Sequence, residues 1–238
     1  MRKFLAFTLA ETLIVMGVIG IVSALTLPNL NSSTGEKEKV AKVKKIYSNL
    51  NDALGRAVAV YGPLEEWMQA SDSTAALQST RFAERLTEFM KISKNCTVLT
   101  SGVCFPTTAV KHLSGSTTDS FTSNASVYKF LVADGAAVAA SWSDNRIFVD
   151  IDGPNKGKNT FGVDLFMFPI DRANDALQPG NGVFGISEVL STGNGAPVTS
   201  WVLSFDNMDY LKANTTGKCS NSNITLNALA NPPIVSCK

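Results

Sequence analysis

The chain has 238 residues, a formal net charge of +1, 17% charged residues and 45% hydrophobic ones. Those proportions belong to a folded protein and exclude a disordered one. The near balance of Lys and Arg against Asp and Glu excludes a basic face built to neutralise phosphates, so no nucleic-acid partner is expected.

The N-terminus, MRKFLAFTLAETLIVMGVIGIVSALTLPNL, sets two basic residues, Arg2 and Lys3, before an apolar run. One reading is an export signal cut after Val22-Ser23-Ala24, which would release a secreted binding or enzymatic domain. Glu11 argues against it, because a carboxylate in an inserting apolar segment costs roughly 2.5–3.5 kcal/mol at mid-helix. Length argues the same way: no charge occurs from Thr12 to Gly35, which approaches the ~20 residues of a membrane span. A cut between Ala6 and Phe7 would instead keep the run and give Phe7 a protonated α-amine. Glu11 would then meet a positive charge, either four residues back on its own helix or on a neighbouring subunit, where only a correct register relieves the buried carboxylate.

The stretch Phe7-Thr8-Leu9-Ala10-Glu11, with LIVMGVIGIVSALTLP after it, resembles the leader and helix of type IV pilins and type II secretion pseudopilins. In that family the residue before the cut is usually Gly; here it is Ala6. The resemblance implies cleavage and N-methylation of Phe7 by a prepilin peptidase, and a role for Glu11 in docking with other pilin or pseudopilin subunits. It further implies an inner-membrane assembly machinery as partner. The chain would be held by one pass in a bacterial inner membrane, its globular domain periplasmic or extracellular, and would then enter a filament. The implied organisation is a leader at 1–6, an N-terminal helix at 7–61 with a membrane and assembly segment at about 12–30, and a globular domain at 62–238. The implied fold is α+β and pilin-like, a long helix with a protruding apolar half and a packed amphipathic half against a small antiparallel sheet.

Pro28 predicts a kink or an unwound stretch between Thr26 and Gly35. Beyond it, Val40, Val43, Tyr47, Leu50, Leu54, Ala57 and Tyr61 recur at three and four, one stripe of an amphipathic helix. Lys37, Lys39, Lys42, Lys44 and Lys45 occupy the other face and are expected in water or at lipid headgroups. Unbroken from Phe7 to Tyr61, the helix would be about 80 Å long, and Gly62-Pro63 ends it. A second helix is expected in STRFAERLTEFMKI, capped by Ser79 or Thr80, with Phe82, Leu86, Phe89 and Met90 on one face. From Ser126 the period becomes that of strands. Apolar runs separated by Asp134-Gly135, Asp144-Asn145 and Asp152-Gly153 predict an antiparallel meander of at least three strands on the Val40–Tyr61 stripe.

No nucleotide fingerprint or nucleophile elbow is present, so the chain is not expected to be an enzyme. The single histidine, His112, reads as unremarkable surface. Asp150, Asp152, Asn155, Asn159 and Asp164 gather hard oxygen donors, the chemistry that calcium prefers, although Gly153 arrives too early for an EF-hand and no Glu closes the loop. A hydrogen-bonded β-turn is the alternative reading of the same residues; some members of the family this chain resembles, the pseudopilins, hold a calcium ion in their C-terminal sheet. No other cofactor is expected. Cys96 and Cys104 bracket an expected hairpin, and Cys219 and Cys237 bracket the tail. In an oxidising compartment this reads as two disulfides, though spacing alone allows three pairings. The second pair also resembles the disulfide-bounded C-terminal loop of many pilins.

Overall fold

The computed structural model describes residues 8–98, 102–105, 109–113, 115–118, 121–122, 124–154, 156–179, 183–185, 195–212, 224–227 and 234–237, with backbone alone at 24–34, 118, 183–185, 196, 209, 212, 224–227 and 234–237. Helix α1 runs Leu9–Tyr61. It crosses Pro28 without interruption, so the unwound stretch expected between Thr26 and Gly35 does not occur. A proline removes one N–H from the helix, but the hydrogen bonds of the turns on either side persist and elongation is cooperative. Gly62 ends α1 at φ +81°, donating its N–H to the Val58 carbonyl at 2.9 Å, and Pro63 cannot continue the ladder.

The chain divides into two compact units, Met1–Glu38 and Lys39–Lys238. In the first, large apolar side chains from Leu9 to Val22 are exposed. Among the described residues, no helix is long and apolar enough to cross a membrane. The expected span at about 12–30 includes side chains from 24 onward that lie outside the described ones.

In the second unit, Val40, Val43, Leu50, Leu54 and Ala57 of α1 are buried as their spacing predicts, and Ile46 and Ala53 widen the stripe. The sheet that receives them has the order β1 (Ile92–Thr97), β4 (Tyr128–Val132), β5 (Ala137–Ser141), β6 (Arg146–Asp150), β7 (Leu165–Asp171) and β8 (Ala176–Leu177). Every neighbouring pair in it is antiparallel. The Asp134-Gly135 and Asp144-Asn145 turns connect β4 to β5 and β5 to β6, as expected. Asp152-Gly153, by contrast, opens a long loop before β7.

Tyr128, Phe130, Val138, Ile147, Val149, Phe166 and Phe168 face the α1 stripe. Helix α2 (Ala75–Thr87) joins this core through Phe82 and Leu86. Its cap is Thr74, whose hydroxyl accepts from Leu77 N at 3.3 Å. Ser79, expected as a cap, is buried and accepts from Trp142 N at 3.0 Å. Helix α3 (Ala196–Phe205) packs on β7, where Met167 N donates to Thr199 Oγ1 at 3.1 Å.

The opposite sheet face carries Ala137, Ala139, Phe148, Leu165 and Met167, covered by Cys96, Cys104, Phe105, Val110, Phe121 and Phe161. Buried on both faces, β5 has no exposed residue. Lys129 of β4 is buried here too; its ammonium donates to the carbonyls of Asn124 (2.9 Å) and Val127 (3.2 Å), and burial pushes its pKa down to about 8. Two short strands, β2 (Val110–Lys111) and β3 (Thr117–Thr118), pair beside this face. In the C-terminal region β9 (Val183–Gly185), β10 (Ile224–Asn227) and β11 (Ile234–Cys237) form a separate antiparallel sheet, so tail residues are held by backbone pairing as well.

On the lysine face of α1, Lys37, Lys44 and Lys45 are exposed as expected, and some of the lysines also have partners in the body. Lys39 donates to the Val163 carbonyl at 2.9 Å, Lys44 pairs with Asp206, and Lys45 pairs with Asp134 at 3.0 Å. Farther along, the Tyr47 hydroxyl donates to the Leu177 carbonyl (3.1 Å) and Asn51 Oδ1 accepts from Leu177 N (3.1 Å). Because Leu50 lies fully buried at the centre of the stripe, Leu50→Ala is expected to destabilise the protein by about 2–5 kcal/mol in urea unfolding. The exposed Val60→Ala should change stability by no more than about 0.5 kcal/mol.

Candidate functional site

Two places hold the residues singled out in the sequence. At the start of α1, Ala6 and Phe7 lie outside the described residues, whereas Glu11 is placed. Its Oε2 accepts from Thr8 N at 2.9 Å and from Thr8 Oγ1 at 2.8 Å, and Thr8 Oγ1 accepts from Glu11 N at 3.3 Å. This reciprocal arrangement is a capping box, which satisfies donors that a helix start otherwise leaves open. The carboxylate thus has a local partner that charge spacing alone did not suggest.

Of the cysteines, Cys96 and Cys104 form a disulfide. Cys96 lies in β1, whose partner is β4, and the turn of the hairpin expected between the two cysteines, 99–101, lies outside the described residues. The Cys219–Cys237 pairing involves Cys219, outside the described residues.

The second place is the loop between β6 and β7. The last register pair, Asp150 with Leu165, and a bond from Ile151 N to the Asp164 carbonyl (3.0 Å) close its base. Asp150 ends a strand buried on both faces and is itself fully buried. Its Oδ1 accepts from Asp152 N (3.2 Å) and Gly153 N (3.0 Å), while Oδ2 has no partner. Asp164, also fully buried, accepts from the backbone N–H groups of Lys158, Asn159 (2.9 Å) and Thr160 (2.6 Å).

Asp152 Oδ1 and Asn159 Oδ1 are likewise buried without a hydrogen-bond partner. Gly157, at φ +75°, faces both acids: a Cβ there would stand 2.1 Å from Asp164 Oδ2 and 3.0 Å from Asp152 Oδ2. Only a glycine leaves that space open. Asn155, expected among the donors, lies outside the described residues.

Burial, reinforced by the charges of Asp152 and Asp164, pushes the Asp150 carboxyl up to about 8. Burial raises Asp164 as well, opposed by its backbone hydrogen bonds. Among the described residues, no group of three or more His, Cys, Asp or Glu side chains is placed to hold a metal ion; Asp164 is turned onto its own loop's backbone N–H groups. The unpartnered buried oxygens on Asp150, Asp152 and Asn159, and those of Asp164, are carboxylate and amide oxygens, the donor type that calcium takes.

His112 is not surface. It is nearly buried, stacked on Phe161 with centroids 5.4 Å apart, and its Nδ1 has no partner. Lys111, beside it, donates its N–H to the Asn159 carbonyl and accepts from Phe161 N, each at 2.9 Å, which ties β2 to the acidic loop. Burial holds the His112 pKa below its ordinary value.

Compared with known proteins, the chain matches no family model, no curated protein and no solved structure.

Calcium in hundredfold excess over its dissociation constant should stabilise the wild-type chain by about 2.7 kcal/mol and raise its Tm by roughly 5–10 °C; Gly157→Ala should abolish the rise in a calcium melting series. His112→Phe keeps the ring stack and removes the titrating group. Because the folded pKa is lowered, neutral His112 contributes stability fully above about pH 6.5, and that contribution is lost as pH falls through the folded value. Urea midpoints at pH 7.5 and 5 should therefore fall more for the wild type than for His112→Phe.

Proposed function

We propose that the chain is a structural subunit of a filament, of the pilin or pseudopilin kind. In this reading prepilin peptidase cuts between Ala6 and Phe7 and methylates the new amine. The apolar helix then holds the subunit in the inner membrane until the assembly machinery transfers it into a type IV pilus or type II secretion pseudopilus. The observation that carries the reading is the first stretch of α1, whose large apolar side chains from Leu9 to Val22 are exposed while its one acid sits at the helix start. A helix that is apolar all round requires lipid or neighbouring helices to cover it.

Glu11 suits both parts of such a role. The cap to Thr8 engages Oε2, and a carboxylate offers about four lone-pair sites. It can order its own helix start and still receive the amine of an adjacent subunit. The pilin-like fold belongs to the same proposal, supported by the α1 stripe packed on an antiparallel meander.

A second reading concerns the body: the open oxygen set of Asp150, Asp152, Asn159 and Asp164 binds a calcium ion that stabilises the loop. The unpartnered, fully buried Asp150 Oδ2 favours it, because a buried oxygen left without a partner is costly.

N-terminal sequencing of the mature protein tests the main proposal. Methylated Phe7 is the expected result, and Leu25, the product of a cut after Ala24, would overturn it. Glu11→Ala should still fractionate with membranes but enter filaments at less than about a tenth of the wild-type level, a coupling loss of about 1.4 kcal/mol or more; wild-type incorporation would remove the register role.

A further inference from the structure

We propose that cation binding at the acidic loop is coupled to α1 through Lys39, so that occupancy tightens the first helical turn of the body. The proposal rests on the calcium reading of that loop. Val163, which accepts from Lys39 Nζ at 2.9 Å, directly precedes Asp164. Both belong to one turn, because the Thr160 carbonyl accepts from the N–H groups of Val163 (3.0 Å), Asp164 (3.2 Å) and Leu165 (3.2 Å). On its other side the turn is pinned where the Gly162 carbonyl accepts from the buried Tyr210 hydroxyl at 2.6 Å. The carbonyl that holds the helix and the carboxylate facing the cation space are therefore adjacent parts of one small hydrogen-bonded unit.

The oxygen set is open, with Asp164 turned onto its own backbone, so binding a cation has to draw the turn and the Asp150–Asp152 segment together. A loop ordered in this way offers Lys39 a fixed acceptor, and the entropic cost of forming that bond falls. Coupling of this kind is reciprocal: if the ion strengthens the Lys39 contact, the Lys39 contact must strengthen ion binding by the same factor. Electrostatics alone would give the opposite sign, since an ammonium and a cation near the same acids compete. The sign of the effect therefore identifies its origin.

The test is calcium titration of the full chain in detergent micelles, with calcium chloride as the probe, for wild type, Lys39→Met and Lys39→Arg. Lys39→Met should bind about fivefold or more weakly, and Lys39→Arg, which keeps a donor, should recover most of the affinity. Hydrogen exchange of the amides at 40–46 should slow with calcium in the wild type and not in Lys39→Met. Equal or tighter binding by Lys39→Met, with the wild type binding normally, overturns the coupling alone. A wild type that binds no calcium overturns the cation reading and the coupling with it. Melting of Lys39→Met in chelator, at the wild-type Tm, shows that the substitution has not unfolded the body.

Discussion

Burial of both faces of the antiparallel sheet is the constraint from which the rest of the body follows. On one face the α1 stripe, α2 and α3 exclude water; on the other, the Cys96–Cys104 bridge and a cluster of Phe105, Phe121, Phe148 and Phe161 do the same. Phe121 and Phe148 stack with centroids 4.3 Å apart, and Phe161 meets both at the edge of the acidic loop. A strand in the middle of such a sheet must be apolar at successive positions, which is why Ala137–Ser141 reads AVAAS rather than alternating. Any polar group at the end of a central strand is carried into the same dry environment. Asp150 is that group, and its raised pKa and unpartnered oxygen follow from where β6 ends.

A buried carboxylate without a partner is unfavourable unless something compensates it. The loop that follows Asp150 compensates only in part. Backbone N–H groups turn toward Asp150 Oδ1 and both oxygens of Asp164, while Gly157 keeps space open where any other residue would place a Cβ. The two buried aspartates also order the turns of the loop, since their oxygens accept from its own backbone N–H groups. Partial satisfaction together with a preserved space is what gives the oxygen set its chemical meaning.

Much of this was legible in the sequence where local periodicity governs. The α1 stripe, the end of α1 at Gly62-Pro63, and the Asp134-Gly135 and Asp144-Asn145 turns all follow from side-chain spacing and backbone freedom. The cluster of Asp150, Asp152, Asn159 and Asp164 was visible as a composition of donors, although not as a buried one. What sequence reading missed depends on contacts between distant segments. His112 looked exposed because its neighbours are polar, yet Phe161 covers it. Ser79 looked like a cap because it begins an apolar pattern, yet the true cap is Thr74 and the Ser79 hydroxyl serves Trp142. The lysines of α1 are exposed or half-buried, as read, but their partners Asp134, Val163 and Asp206 come from far along the chain and could not be named from it.

Those lysines bear on how one register of helix on sheet is chosen. Apolar burial is non-directional, and a stripe repeating every three or four residues is nearly as well satisfied after a slide of two turns. Polar contacts are not so tolerant. Lys39, Lys44, Lys45, Tyr47 and Asn51 each meet a specific atom of the body, and Leu177 is bonded at both its N–H and its carbonyl by two residues one turn apart. A slide of two turns would break all of these contacts and leave Asp134 and the Leu177 backbone facing the wrong side chains. The stripe therefore supplies the affinity of helix for sheet, and the row of polar side chains beside it supplies the register. Within that row, Lys39 is bonded to the turn that carries Asp164.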